Sequence, residues 1–181
     1  MELKIYDYDY YSKDLAAHRA YDCLKNKFEN IEGMWLYREP EMRTEGNEYP
    51  TFTIISPELG LIFIKAYEYS SEVLSRVENK YWTINGQKVV SECLRFRNYV
   101  HRITSKIEDP LIELEKDFDG VKIYYFFPYI NQRTLLDNIG LTSNEKIFCA
   151  DDDIVLEQQS SHLSDHDYRS LVSRGTCAKY C

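Results

Sequence analysis

The chain has few of the residues that interrupt helices and strands: seven glycines and five prolines among 181 residues. Apolar residues make up 44% of it and aromatic residues 14%, which excludes collagen-like, low-complexity and disordered proteins. No apolar run approaches the roughly 18–20 residues that a membrane span needs. The start, MELKIYDYDYYSKDL, lacks the basic and apolar regions of a signal peptide. We therefore expect a cytoplasmic protein with one main domain and no membrane partner.

Basic residues are the minority charge, 22 against 30 acidic residues, for a net charge of −8. Attraction of the whole surface to nucleic acid or anionic lipid is therefore excluded, and any such contact needs a local basic face. The stretch 95–106 has five basic or histidine residues and no acidic one. A helix would place Arg95, Arg102 and Lys106 on one face. Such a face is usually only solvated, and a phosphate contact is the alternative.

The five cysteines are an odd number. Cys23, Cys93 and Cys149 fall in apolar segments, which predicts buried thiols in a reducing compartment. Two further pairs, spaced four apart, form a weak zinc candidate: His162, His166, Cys177 and Cys181. The simpler interpretation is a polar tail, because zinc-binding cysteines are usually closer together and terminal residues fray.

Hydrophobic periodicity predicts an α/β fold in which a mixed sheet is flanked by helices. The helix over 12–29 has Ser12 as its candidate N-cap and an apolar set of Leu15, Tyr21, Leu24 and Phe28. The helix over 91–107 carries an apolar stripe with Cys93, Phe96 and Val100, and Asp109-Pro110 is expected to end it. One sheet is expected to contain the strands 52–55, 61–64, 81–84 and 121–127.

Local turn chemistry predicts two hairpins, one closed by Ser56 to Gly60 and one by Asn85-Gly86. A short helix is expected around 131–138, and a last strand over 145–149. The run Asp151 to Asp153 is typical of the start of a helix, with a cation site as the alternative. Tyrosines at 6, 8, 10 and 11 alternate with Asp7 and Asp9, which suits an edge strand or a partner-binding arm.

The segment YPTFTIISPELGLIFIKAY, residues 49–67, resembles the core of the nuclease-related domain (NERD) family. In that family, a strand with an acidic residue turns and returns as a strand carrying Glu-x-Lys. The hairpin YWTING, residues 81–86, resembles the family's Trp-x-x-x-Gly hairpin, and the helix over 91–107 resembles its glutamine-bearing helix. The later strands and acidic run resemble those of NERD domains N-terminal to UvrD-like superfamily 1 helicases. The similarity covers roughly residues 12–175.

This resemblance implies a restriction-endonuclease-like fold of the PD-(D/E)xK type, whose acidic side chains hold a divalent cation. It implies an N-terminal arm at 1–11, a NERD-like domain at 12–150, and a polar helical tail or further domain at 151–181. The chain departs from the family at the site itself. Thr51, Lys65 and Tyr67 take the places of the aspartate, the glutamate and the lysine, Ala17 falls near the first helix glutamate, and Arg95 falls near the glutamine.

A lysine in place of a metal-binding carboxylate predicts a lost Mg²⁺ site and no cofactor. The expected function is a catalytically degenerate accessory domain, not an enzyme, acting with a helicase domain or subunit in DNA repair or defence. Its expected nucleic-acid contacts are Lys65, Arg95, Arg102 and Lys106. One alternative is an active Mg²⁺-dependent nuclease with relocated carboxylates, for which the candidates are Glu45, Glu48, Glu58 and Glu68. Another alternative is a protein-interaction module.

Overall fold

The computed structural model of the chain describes residues 2–5, 13–28, 35–38, 50–78, 80–112, 122–134, 139–140, 146–151 and 156. These residues form a mixed α/β arrangement of two sheets and two long helices. The predictions for Ser12, for the tyrosines at 6–11 and for Asp152 and Asp153 lie outside them.

A six-stranded mixed sheet forms the centre of the fold, in the spatial order β1-β2-β3-β4-β8-β10. The strands β2, β3 and β4 run antiparallel, while β4, β8 and β10 run parallel. The edge strand β1 pairs in parallel with β2. The strand bounds are β1 Glu2–Ile5, β2 Trp35–Arg38, β3 Phe52–Ser56, β4 Gly60–Ala66, β8 Lys122–Phe127 and β10 Lys146–Cys149.

A second, four-stranded sheet has the order β7-β6-β5-β9. Its strands are β5 Leu74–Glu78, β6 Tyr81–Ile84, β7 Gln87–Val90 and β9 Ile139–Gly140. The prediction that strand 81–84 shares a sheet with the other three predicted strands is therefore wrong. Residues 81–84 pair with β7 and β5, and this sheet packs through Trp82 onto the central one. The predicted turn at Asn85-Gly86 is confirmed, since both residues have positive φ angles, 50° and 75°.

Helix α1, Leu15–Phe28, packs on one face of the central sheet. Its N-cap is Asp14, whose side chain accepts a hydrogen bond from the Ala17 backbone N–H at 2.8 Å. The buried face is built mainly from alanines and Leu24, whereas Leu15 is 63% exposed. The prediction that Leu15 faces the core is therefore wrong, because Ala16, Ala17 and Ala20 with Leu24 form the buried face and Leu15 lies outside it. Cys23 is exposed on this helix, which also corrects its predicted burial.

Helix α2, Glu92–Ile112, packs on the opposite face together with the second sheet. Its predicted stripe is confirmed at Cys93, Phe96 and Val100, all of which are buried. The helix continues through Pro110, contrary to the predicted end. Pro110 lies in the last turn, so its missing N–H removes only one hydrogen bond near the helix end.

The two faces of the central sheet carry two separate hydrophobic cores, as the alternation of side chains along each strand requires. Ile54, Ile62 and Tyr124 point toward α1, while their neighbours Ile55, Phe63 and Tyr125 point toward α2 and the second sheet. In the described part of the chain, no helix combines the length and apolar content that crossing a bilayer requires.

Candidate functional site

The β3–β4 hairpin brings together the three residues that the sequence comparison singled out, Thr51, Lys65 and Tyr67, at one corner of the central sheet. Its turn is held by the Ser56 hydroxyl, which accepts hydrogen bonds from the backbone N–H groups of Glu58 and Leu59 at 3.3 Å each. Gly60 is the first residue of β4 and has a φ angle of 78°, a backbone conformation that residues with a Cβ rarely adopt. The register that follows pairs Phe52 with Ile64 and places Thr51 opposite Lys65.

Thr51 is fixed as a structural residue at the start of β3. Its backbone N–H donates to the Ile64 carbonyl at 2.7 Å, and its hydroxyl accepts from the Ala66 N–H at 2.8 Å. The side chain is buried. The Thr51 hydroxyl therefore adds one hydrogen bond to the hairpin just before the start of β3.

Lys65 lies on the sheet face that α2 and the second sheet cover, and it is only 7% exposed. Its neighbour on the parallel strand β8 is Tyr125. The ammonium nitrogen lies 6.0 Å from the centre of the Tyr67 ring, within the range of a cation–π interaction. This burial leaves the ammonium little surface to offer to a phosphate group.

Tyr67 is 3% exposed and lies within an aromatic cluster. We use this name for the rings of Tyr67, Tyr69, Trp82, Tyr125 and Phe127. The Tyr67 ring stacks on Phe127 at 5.1 Å and meets Trp82 edge-on at 5.0 Å between centroids. Its backbone N–H donates to the Phe126 carbonyl at 2.9 Å. The buried Tyr67 ring therefore stands at the position where the resemblance would place a lysine, and other aromatic rings pack against it.

The polar groups of the aromatic cluster converge on the first turns of α2. The Tyr67 hydroxyl lies 3.9 Å from the Cys93 sulfur, and the Tyr125 hydroxyl donates to the Cys93 carbonyl at 3.4 Å. Burial, above all, raises the pKa of the Cys93 thiol and that of the Tyr125 phenol well above their usual ranges. Both groups are therefore neutral near pH 7, and Cys93 is not an activated nucleophile.

The residues of this corner do not fit a Mg²⁺ ion. Magnesium takes oxygen ligands, usually with one or two carboxylates. Thr51 offers a single hydroxyl, which already accepts a hydrogen bond, and Lys65 offers a positive charge. Within the described part of the chain, no three His, Cys, Asp or Glu side chains are placed to hold a metal ion.

The predicted basic residues of α2 contact other parts of the fold than Thr51 and Lys65. Arg95 is half-buried, and its guanidinium donates to the Val90 carbonyl at 3.2 Å. Arg102 is exposed and lies over the Tyr99 ring at 5.7 Å. The side chain of Lys106 lies outside the described residues. Ala17 is buried against the opposite face of the central sheet, in the other core.

The other candidate ligands do not join the corner within the described residues. Glu58 is exposed in the hairpin turn, and Glu68 is exposed just after β4. Asp151 accepts a hydrogen bond from the Gln132 N–H at 2.8 Å, so it holds the start of the short helical turn at 132–134. The candidates that lie outside the described residues are Glu45, Glu48, His162, His166, Cys177 and Cys181.

The sequence patterns did not predict the contacts that Trp82, Tyr69 and Glu92 make around this corner. The Tyr69 hydroxyl donates to the Glu92 carboxylate at 2.5 Å, which ties the segment after β4 to the start of α2. Trp82 brings the second sheet against Tyr67 and Tyr69. Aromatic residues at 67 and 69 and at 125 and 127 could have indicated these contacts, because residues two apart in extended chain lie on one face.

We expect the Thr51→Val variant to lose about 1–3 kcal/mol of unfolding free energy, because the buried Ala66 N–H loses its acceptor. Thr53→Val is the matched control on the same face. The Thr53 hydroxyl is buried with no hydrogen-bond partner among the described residues, so its loss is expected to be neutral or stabilising. Urea denaturation followed by circular dichroism measures both. Equal losses in the two variants would contradict a structural role specific to Thr51.

Comparison of the chain with family models, with curated proteins and with solved structures gives no match.

Proposed function

We propose that the chain is a non-cleaving, nuclease-related domain with a restriction-endonuclease-like core, which acts as an accessory domain of a DNA helicase. The observation that carries the proposal is the identity and burial of the residues at the β3–β4 corner. Where the resembled family places an acidic residue and Glu-x-Lys, this chain has a hydrogen-bonded threonine, a buried lysine and a buried tyrosine.

The hairpin itself supports the family assignment. The family carries its site on a strand, a turn and a returning strand, and β3 and β4 form such a pair in register. The resembled fold also has its glutamine-bearing helix beside the cleft. Here α2 lies beside the same corner, where Cys93 approaches the Tyr67 hydroxyl.

In this proposal, packed aromatic side chains occupy the place of the metal-binding and catalytic residues. A cleft that binds metal and phosphate must stay open to water and ligand, whereas the rings of Tyr67, Trp82 and Phe127 fill this one. The domain would then contribute binding and positioning. Its nucleic-acid contacts would run through two basic residues of α2, the half-buried Arg95 and the exposed Arg102, with Lys65 held in the interior.

The test is a salt titration of the binding of a labelled DNA duplex, by fluorescence anisotropy. We expect the Arg95→Ala, Arg102→Ala double variant to bind more weakly, with a salt slope lower by about two units, one for each lost phosphate contact. The matched control is Lys25→Ala with Lys27→Ala, which removes the same charge from exposed positions of α1, across the central sheet. This control should bind like the wild type.

Unchanged affinity and slope in the arginine double variant would remove α2 from the interface. Absence of wild-type binding at low salt would favour the protein-interaction module over a DNA-contacting domain. Thermal denaturation of each variant confirms folding, because Arg95 also donates to Val90.

A further inference from the structure

The outer face of the β6–β7 hairpin exposes an apolar pair. Alternation along the two strands turns Trp82 and Val89 toward the core and Tyr81 and Val90 outward. Tyr81 is 43% exposed and Val90 49% exposed, and the two residues are direct partners across the strands. Single exposed apolar residues are common, but here two adjoin at one position of a sheet face.

The charge around this pair is opposite to that of the chain. Residues 80–106 contain six basic residues and one acidic residue, Glu92, in a chain whose net charge is −8. Glu92 is bonded by the Tyr69 hydroxyl. The other cation on the same sheet face, Arg76, is neutralised by Glu78 at 2.6 Å. The positive charge is therefore concentrated on the hairpin and the first half of α2.

One contact places a positive charge on the exposed ring, and two hydrogen bonds to backbone carbonyls hold the end of the hairpin beside it. The Lys88 ammonium lies 4.4 Å from the centre of the Tyr81 ring. The Ser91 N–H donates to the Lys80 carbonyl at 2.9 Å, which holds the start of β6 against the end of β7. Arg95 reaches the same end through its bond to Val90. We call Lys80, Tyr81, Lys88, Val90 and Arg95 the hairpin platform.

We propose that the hairpin platform binds single-stranded nucleic acid, with a base stacked on Tyr81 and the adjoining phosphate paired with Lys88. The inference rests on the proposed function and adds the strand class and a second contact surface to it. An exposed aromatic ring among cations is the combination that binds single strands, because an unpaired base offers its face for stacking. In a duplex the base faces are already stacked on one another, so Tyr81 has nothing to bind. Val90 extends the apolar surface beneath the base.

The test compares a labelled 15-nucleotide oligothymidylate, the duplex of the same length and a labelled oligoglutamate peptide, each by fluorescence anisotropy at low salt. We expect the wild type to prefer the single strand. Tyr81→Ala should weaken that binding by about 5- to 150-fold, the range measured for loss of one stacked base. Tyr81→Phe keeps the ring and should bind like the wild type. Lys88→Ala should lower the salt slope by about 0.7, and Lys25→Ala on α1 should not.

The outcomes separate this inference from the proposed function. Duplex binding that depends on Arg95 and Arg102 but not on Tyr81 would overturn the platform and leave the proposed function standing. Single-strand binding lost in Tyr81→Ala, with no effect of Arg102→Ala, would support the platform and remove the α2 contacts. Tyr81-dependent binding of the oligoglutamate peptide, without binding of either nucleic acid, would overturn the inference in favour of an acidic protein partner. Tyr81 is exposed, so all of these variants are expected to fold.

Discussion

Replacing Trp82 by alanine is expected to lower the free energy of unfolding by about 3–5 kcal/mol, the range for a fully buried aromatic residue. Trp82 is fully buried between the two sheets. Its ring lies 5.0 Å from Tyr67, 6.0 Å from Phe127 and 6.1 Å from Tyr69, between centroids. Its removal would leave a cavity beside the β3–β4 corner, and the packed rings of that corner would lose their support.

The matched control for Trp82→Ala is Tyr81→Ala, one residue away on the same strand. Tyr81 points outward, so its truncation should change the unfolding free energy by about 0.5 kcal/mol or less. Urea denaturation followed by far-ultraviolet circular dichroism measures both variants. A similar small loss at both positions would mean that Trp82 does not hold the second sheet against the first, and that the aromatic cluster is not a packed core.

Replacing Leu24 by alanine is expected to lower the free energy of unfolding by about 2–5 kcal/mol. Leu24 is fully buried where α1 packs on the central sheet, in the core that faces away from the candidate site. The alanines around it have no side chain long enough to fill the space that its truncation would leave.

Leu15→Ala is the control for Leu24→Ala, because it changes the same residue type in the same helix. Leu15 is exposed at the first turn, so its replacement should be nearly neutral. The same denaturation experiment measures the pair. If Leu15→Ala were the more damaging change, α1 would pack through Leu15 and not through Leu24, and the helix would be rotated from its described position.

Local signals predicted the parts of the fold that short segments determine. The turn from Ser56 to Gly60 and the Asn85-Gly86 turn follow from residue types that tolerate those backbone angles, and both hairpins are present. The strand Lys122–Phe127 follows from a continuous run of β-branched and aromatic residues, and the buried stripe of α2 follows from a helical pattern of apolar residues.

The missed strands depend on partners that a local pattern does not reveal. Trp35–Arg38 is only four residues long, and it becomes a strand by pairing with β3. The alternation of Leu74–Glu78 is broken by a register shift between Leu74 and Arg76, which hides its period of two. The assignment of strand 81–84 to the wrong sheet has a related cause, because alternation shows that a strand is half-buried but not which sheet covers it.

The sequence could predict which residues form the candidate site, but not which residues of the second sheet pack against them. The hairpin register alone places Thr51 opposite Lys65, and this part of the site follows from the sequence. The contact of Trp82 with Tyr67 joins two sheets, so it depends on how the second sheet packs against the first. The burial of Lys65 has the same origin, since it lies on the face that this sheet and α2 cover.

We propose that the β3–β4 corner, with its threonine, lysine and tyrosine, does not support cleavage of nucleic acid. The most direct measurement incubates the purified protein with single-stranded DNA, duplex DNA and RNA in the presence of Mg²⁺ or Mn²⁺, and follows the products on a denaturing gel. We expect no cleavage with either ion, and no difference between the wild type and Lys65→Ala. Cleavage that is abolished by EDTA, unaffected by Lys65→Ala and lost in Glu58→Gln or Glu68→Gln would contradict it, and would show that relocated carboxylates form an active metal site.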